Sequence, residues 1–309
     1  MSSTVAQSTL PTLSTVTSSM DPESNIPLHH MIVLGIYTVV LLCGTVSLSL
    51  MIHVLKSSAT STTSIAVLNL IFTHFIFLLT LPFRLYYYAT NKWTLGHGWC
   101  KMVSAMIHIH MYMSFIFYVI ILIMRLLAFY KKDERVPTFR RMHALLFSVV
   151  VWVIVLVSYP CITHFTYGYK KNPSNRSHNH NHTECFQFGE KVKEFKGINY
   201  VISVLIIVVA VVLTALQANV LRVLYRQHKQ IWSSQQDFGA QLKSLCFALI
   251  MVACFIPYHI FRLYYIGNFS GELEIANEVF LSLTTFNCLD MLTFLGRRTF
   301  RVCLPGRAA

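Results

Sequence analysis

Apolar residues in this chain gather into seven long runs, near 31–55, 62–88, 100–129, 143–165, 198–223, 242–267 and 275–296, with polar stretches between them. Each is long enough to cross a hydrocarbon core as a helix, which takes about 20 residues. The pattern predicts an all-α membrane protein, a seven-transmembrane helix bundle. Inside the runs polar residues are isolated, and their placement is informative. The sixth run contains "ACFIPYHIFRLYY", residues 253–265, with a proline, a histidine and an arginine within six positions. Pro257 removes a helical hydrogen bond and predicts a kink. His259 and Arg262 are three apart and share a face beyond that kink. His108 and Tyr112, four apart, share a face of the third run, whereas His110 points elsewhere. Arg84 follows Pro82 and is expected at similar depth. Together these residues predict a basic, aromatic cavity. A desolvated guanidinium favours bidentate carboxylate or phosphate, so Arg84, His108, Tyr112, His259 and Arg262 are candidate ligand-binding residues. Outward snorkelling of Arg262 is the alternative.

Composition agrees with the lipid reading. Hydrophobic residues make up 55% and charged residues 12% of the 309 residues, against about 25% charged in a soluble domain. Mean hydropathy is +0.55. The net charge of +13 reflects topology, since the basic residues lie in short scattered segments, a poor basis for nucleic-acid binding. Lys131, Lys132, Arg135, Arg140, Arg141, Arg222, Arg226, Lys229, Lys243, Arg297, Arg298 and Arg301 fall on one side. The other side has Lys92, Lys101 and one long loop, 166–197, with most of its basic residues. This asymmetry predicts an extracellular N-terminus. Residues 1–30 are expected to form a disordered Ser/Thr-rich extracellular tail, with no cleavable signal peptide visible. Residues 31–296 form the transmembrane domain, and 297–309 a short basic cytoplasmic tail in which Cys303 is a palmitoylation candidate.

Asn175, Asn181 and Asn268 begin N-x-S/T sequons, and all three fall on the predicted outer side. His178, His180 and His182 alternate in "SHNHNHTEC", a spacing that suits Zn²⁺ or Cu²⁺ on an extended chain. A solvated polar spacer is the plainer reading, and neither metal nor cofactor is expected. Of the eight cysteines most lie in apolar runs as packing residues. Cys100 and Cys185 fall at outer, loop-like positions, where disulfides are permitted.

The ordered motifs resemble a rhodopsin-like (class A) G-protein-coupled receptor from about residue 30 to 303. "NLIFTHFIFLLTLPF" is similar to the second-helix pattern, and Trp93 with Gly96 to the first outer loop. Arg125, 25 residues after Cys100, stands where the family has the arginine of Asp-Arg-Tyr. Trp152 matches the fourth-helix tryptophan, "CFIPYH" the sixth-helix Cys-Trp-x-Pro region, and "NCLDMLTF" the seventh-helix Asn/Asp-Pro-x-x-Tyr region. Leu-Pro-Phe, Cys-Phe-x-Pro-Tyr-His-x-x-Arg and the seventh-helix Asp resemble the purinergic-like branch. The resemblance implies a Cys100–Cys185 disulfide. It implies coupling and switch roles for Arg125, Phe255, Pro257 and Asp290, and a former sodium site at His74, Ser114 and Asp290. The implied partners are a heterotrimeric G protein, an extracellular ligand of a small anionic or lipid-like kind, and membrane lipid.

The departures bear on signalling. Met124 replaces the acid beside the arginine, and Leu126 the tyrosine after it. Met124 offers Arg125 no partner, which predicts a weakened inactive-state lock and raised basal activity; Asp133 or Glu134 as a substitute acid is the alternative. His74 replaces the sodium-holding Asp and is expected to pair with Asp290, the alternative being a neutral His bonded to a helix carbonyl. Met291 and Phe294 replace the seventh-helix Pro and Tyr, and 198–223 holds no proline. These changes leave a non-signalling or decoy membrane protein as the second reading of function. An enzyme is not expected, since only Asp290 and Glu278 are carboxylates within the runs and no catalytic motif appears. Transporter repeats are not visible. A Schiff-base lysine is missing from 275–296, and a monoamine-binding acid from 100–129.

Overall fold

The computed structural model describes residues 27–55, 62–130, 146, 148–157, 185–186, 195–228, 235–268 and 270–293. Its helices are α1 (Leu28–Leu55), α2 (Thr62–Thr90), α3 (His97–Tyr130), α4 (Ser148–Val157), α5 (Lys196–His228), α6 (Gln235–Gly267) and α7 (Gly271–Leu283). A 3-10 segment, η1 (Thr284–Thr293), continues directly from α7. Among the described residues there is no strand. Five of the helices, α1, α2, α3, α5 and α6, are long and apolar enough to cross a membrane. Their outward faces are apolar, with Leu42, Leu79, Val201 and Ile260 exposed, as lipid contact requires.

Side-chain polar bonds fix how the helices meet. Asn69 of α2 accepts from Trp152 Nε1 at 2.9 Å and donates to Ser148 Oγ at 3.0 Å, which holds α4 against α2. Gln217 Nε2 of α5 donates to the Leu122 carbonyl of α3 at 3.1 Å. Among the described helices α5 and α6 make the most extensive contact. Pro257 lies inside α6, which continues through it to Gly267.

At one end Cys100, on the first turns of α3, is bonded to Cys185, with Cα atoms 5.8 Å apart. This disulfide brings Phe186 onto Tyr87, Tyr88 and Trp93. Trp93 is held in turn by its indole N–H, 2.8 Å from the Gly96 carbonyl. Gly96 has φ +85°, a backbone region that favours glycine. The change from α-helix to 3-10 after Leu283 coincides with a buried polar run. Thr284 and Thr285 donate their hydroxyls to the Leu281 and Ser282 carbonyls, three residues back, which competes with the ordinary helical ladder. A long 3-10 stretch within a helix often marks a hinge.

Candidate functional site

The predicted residues fall into three groups. The first is at the disulfide end, on α1, α2 and α7. Arg84 is 1% exposed. It donates to the Val103 carbonyl of α3 at 3.0 Å and to the Tyr37 hydroxyl of α1 at 3.3 Å. Its guanidinium carbon lies 4.4 Å from the centre of the Phe186 ring. Arg84 borders a cavity of about 310 Å³ that Phe186, Glu274, Asn277 and Glu278 also line. The Tyr88 hydroxyl donates to the Glu278 carboxylate. This cavity therefore carries both signs of charge, where the sequence predicts a basic one, because the acids of α7 face Arg84 across it.

The second group lies between α3, α5 and α6. Arg262 is 6% exposed, so it points into the bundle rather than snorkelling outward. It donates to the Tyr258 hydroxyl, one turn earlier, and to Asn199 Oδ1 of α5 at 2.6 Å. Among the described residues no carboxylate is within ion-pair distance of Arg262, and its Nε has no hydrogen-bond partner. His259 is fully buried; its Nδ1 lies 3.2 Å from Ser203 Oγ, and its Nε2 has no partner among the described residues. Tyr112 is half-buried and within electrostatic reach of Tyr258 and Arg262. His108 Nδ1 sits 3.3 Å from the Ser104 carbonyl on its own helix.

The third group is the mid-bundle core. His74 Nε2 lies 3.4 Å from Asp290 Oδ1, the pair expected from sequence, and both residues are buried. Tyr118 donates to the same carboxylate and to the Asn287 carbonyl. Phe255 packs on Tyr118 and Phe115, so the Pro257 region of α6 reaches Asp290 through one aromatic ring. His110 was not assigned a role by spacing, which only turned it away from His108. It faces His74, with His74 Nδ1 and His110 Nε2 2.9 Å apart, and Cys288 touches both. Ser114 is buried and its hydroxyl has no partner among the described residues.

Arg125 and Met124 are half-buried near the opposite end of α3, and Arg125 has no ion-pair partner among the described residues. Asp133 and Glu134 lie outside those residues, as do Asn175, Asn181, His178, His180, His182 and Cys303. Asn268 is exposed just past α6.

The model of the 7 transmembrane receptor (rhodopsin family) matches residues 29–290. The chain belongs to the rhodopsin family of seven-transmembrane receptors. It is 37% identical over 287 residues to the probable G-protein coupled receptor 141 of Homo sapiens, covering 90% of each chain. It is 27% identical to the probable G-protein coupled receptor 34 of Mus musculus, over 84% of this chain and 71% of that one. It is 26% identical to the cysteinyl leukotriene receptor 2 of Sus scrofa, over 82% and 74%. Family membership makes it a multi-pass receptor of the plasma membrane, of a kind that links an extracellular ligand to G proteins, in a family of receptors rather than enzymes.

Proposed function

We propose that this receptor recognises a small anionic or lipid-like extracellular ligand through Arg262 and signals through the α6 kink to Arg125, with raised basal activity. The observation that carries the reading is the setting of Arg262, buried among neutral partners with no described carboxylate beside it. A buried guanidinium that lacks a counter-ion gains most from an incoming carboxylate or phosphate, because both groups are then out of water. Arg262 Nε and His259 Nε2, without partners among the described residues, leave donor capacity for that anion. The orientation has the chain before α1 and the segment between α4 and α5 on the outer side, 297–309 on the cytoplasmic side, and sugars on Asn175, Asn181 and Asn268. One relative is named for cysteinyl leukotrienes, so these belong in the ligand panel beside carboxylate lipids and nucleotides.

The test is a potency measurement for a charged agonist and its neutral ester or amide. Losing a charged partner from a buried site typically costs about 2–5 kcal/mol of binding, or roughly 30-fold or more. Arg262→Ala is expected to weaken the charged agonist to that extent, with surface expression and basal signalling near normal. Arg262→Lys restores only part, since an ammonium lacks the bidentate fork. Unchanged potency of the charged agonist in Arg262→Ala rejects the anion site.

A further inference from the structure

The mid-bundle core has a donor set that receptor function alone does not require. His74 of α2, His110 of α3 and Cys288 of η1 are each 1% exposed. They point one donor atom apiece at a common centre. His74 Nδ1 and His110 Nε2 are 2.9 Å apart, and Cys288 Sγ is 3.6 Å from the first and 3.4 Å from the second. With Zn–N near 2.0–2.1 Å and Zn–S near 2.3 Å, a tetrahedral ion places nitrogens about 3.3 Å apart and sulfur about 3.6 Å from each. The observed edges match these within the few tenths of an ångström by which side chains adjust.

Asp290 completes the arrangement. Its Oδ1 faces His74 Nε2 at 3.4 Å, on the side of the ring away from His110 and Cys288. A carboxylate there holds the ring proton on Nε2 and leaves the Nδ1 lone pair for a metal, the arrangement in which a carboxylate orients a ligating histidine. His110 is fixed by stacking on Phe77, with ring centres 4.1 Å apart. Charge also balances. A dication with one thiolate and one carboxylate nearby is neutral overall, the condition for burying ions in a low-dielectric core. Nitrogen and sulfur donors are soft and suit a transition metal, whereas sodium takes oxygen.

We propose that His74, His110 and Cys288 form a transition-metal site, selective for Zn²⁺ or a similar ion, with Asp290 orienting His74 from behind. On binding, the Cys288 thiol gives its proton to water and the sulfur bonds the metal. The fourth position is left to water or to Ser114 Oγ, which shares the His110 face of α3 four residues on. The ion ties α2, α3 and η1 together at the point where Asp290 also takes the Tyr118 hydroxyl. Occupancy therefore stabilises the described helix arrangement. The site is independent of the Arg262 reading and stands whether or not that ligand is anionic.

The test is a Co²⁺ titration of purified full-length receptor without a histidine tag, with His178, His180 and His182 replaced by Ala in every sample. The expected result is one Co²⁺ per receptor with a thiolate-to-cobalt charge-transfer band, displaced by Zn²⁺, and a higher Tm with either ion. Cys288→Ala and the isosteric Cys288→Ser lose the band. Asp290→Asn keeps it with affinity lower by about 10–100-fold, and His110→Ala loses more than that. Lack of the band in the unsubstituted receptor overturns the proposal without recourse to any core variant. A band that persists in Cys288→Ser overturns it as well.

Discussion

Two guanidinium groups are buried towards the disulfide end of this bundle, and they are held in different ways. Arg84 is tied by donors and rings from several elements: the Tyr37 hydroxyl of α1, a carbonyl of α3 and the Phe186 ring beside the disulfide. The acids of α7 share its cavity. Among the described residues Arg262 has Tyr258 of its own helix and Asn199 of α5, both neutral, and no carboxylate within ion-pair distance. Each leaves its Nε without a partner among the described residues, so the nearby acid is what separates them. The guanidinium that shares a cavity with carboxylates is cast as a strut, and the one with no described carboxylate beside it as the proposed socket. On the proposed reading, that acid lets one receptor bury two cations and use them differently.

The comparison assumes that both sites stand on one rigid core, and the largest expected effect tests that assumption. If His74 and Asp290 pair, His74→Ala takes the histidine partner from a buried carboxylate that keeps its Tyr118 hydrogen bond; breaking a buried pair typically costs about 3–5 kcal/mol. Thermal stability of the purified receptor falls accordingly. His74→Asn together with Asp290→Asn recovers much of the loss, because both charges are gone. Additive effects across this cycle reject the pair. The disulfide bears on the strut side, where Phe186 covers Arg84. Cys100→Ala or Cys185→Ala is expected to lose roughly 2–5 kcal/mol, seen as reduced surface display, since Phe186 loses its anchor over Arg84. The double variant is no worse than either single one. A further loss in the double means that the cysteines act separately.

Arg84→Ala sharpens the contrast directly. Hydrogen bonds from a charged group are worth about 1.5–3 kcal/mol each in the folded state. A loss of that order in stability is expected, with the potency of a charged agonist on the displayed receptors moving less than in Arg262→Ala. A larger potency shift at Arg84 than at Arg262 exchanges the two assignments.

Much of this contrast was legible in one dimension and some was not. The apolar runs gave the bundle, because lipid imposes a length and a composition that no soluble helix needs. The shared face of His259 and Arg262 follows from a three-residue spacing. Asn199 could not be found that way, since which residue of α5 faces Arg262 depends on the relative rotation and height of two helices. The Val103 carbonyl that receives Arg84 has no sequence signature, because every residue carries one. His110 shows the same limit. Spacing turned it away from His108 but was silent on what it turned towards, and His74 and Cys288 reach it only through the packing of α2, α3 and η1. The 3-10 course of η1 was hidden too. It coincides with two buried threonines, Thr284 and Thr285, bonding back to carbonyls, a pattern that elsewhere leaves a helix intact.

The smallest expected effect lies at the far end of α3 from both arginines, where the comparison extends to a third. Arg125 is half-buried and has neither the surroundings of Arg84 nor the ligand-binding role proposed for Arg262. In the family this arginine is restrained by the acid before it, and here that residue is Met124, also half-buried. Met124→Asp supplies the missing partner. A partly exposed pair contributes about 0.2–1 kcal/mol, which shifts the balance between resting and active forms by a factor of up to about 5. Ligand-free signalling at matched surface expression is therefore expected to fall by up to that factor. Arg125→Ala in the Met124→Asp background removes the new pair, and any further loss of signalling then reports Arg125's own contact with the G protein. If Met124→Asp leaves basal signalling unchanged, Arg125 is already restrained by another acid, or the unliganded receptor has no activity to restrain. Either result removes the raised basal activity from the reading while leaving the strut and the socket untouched.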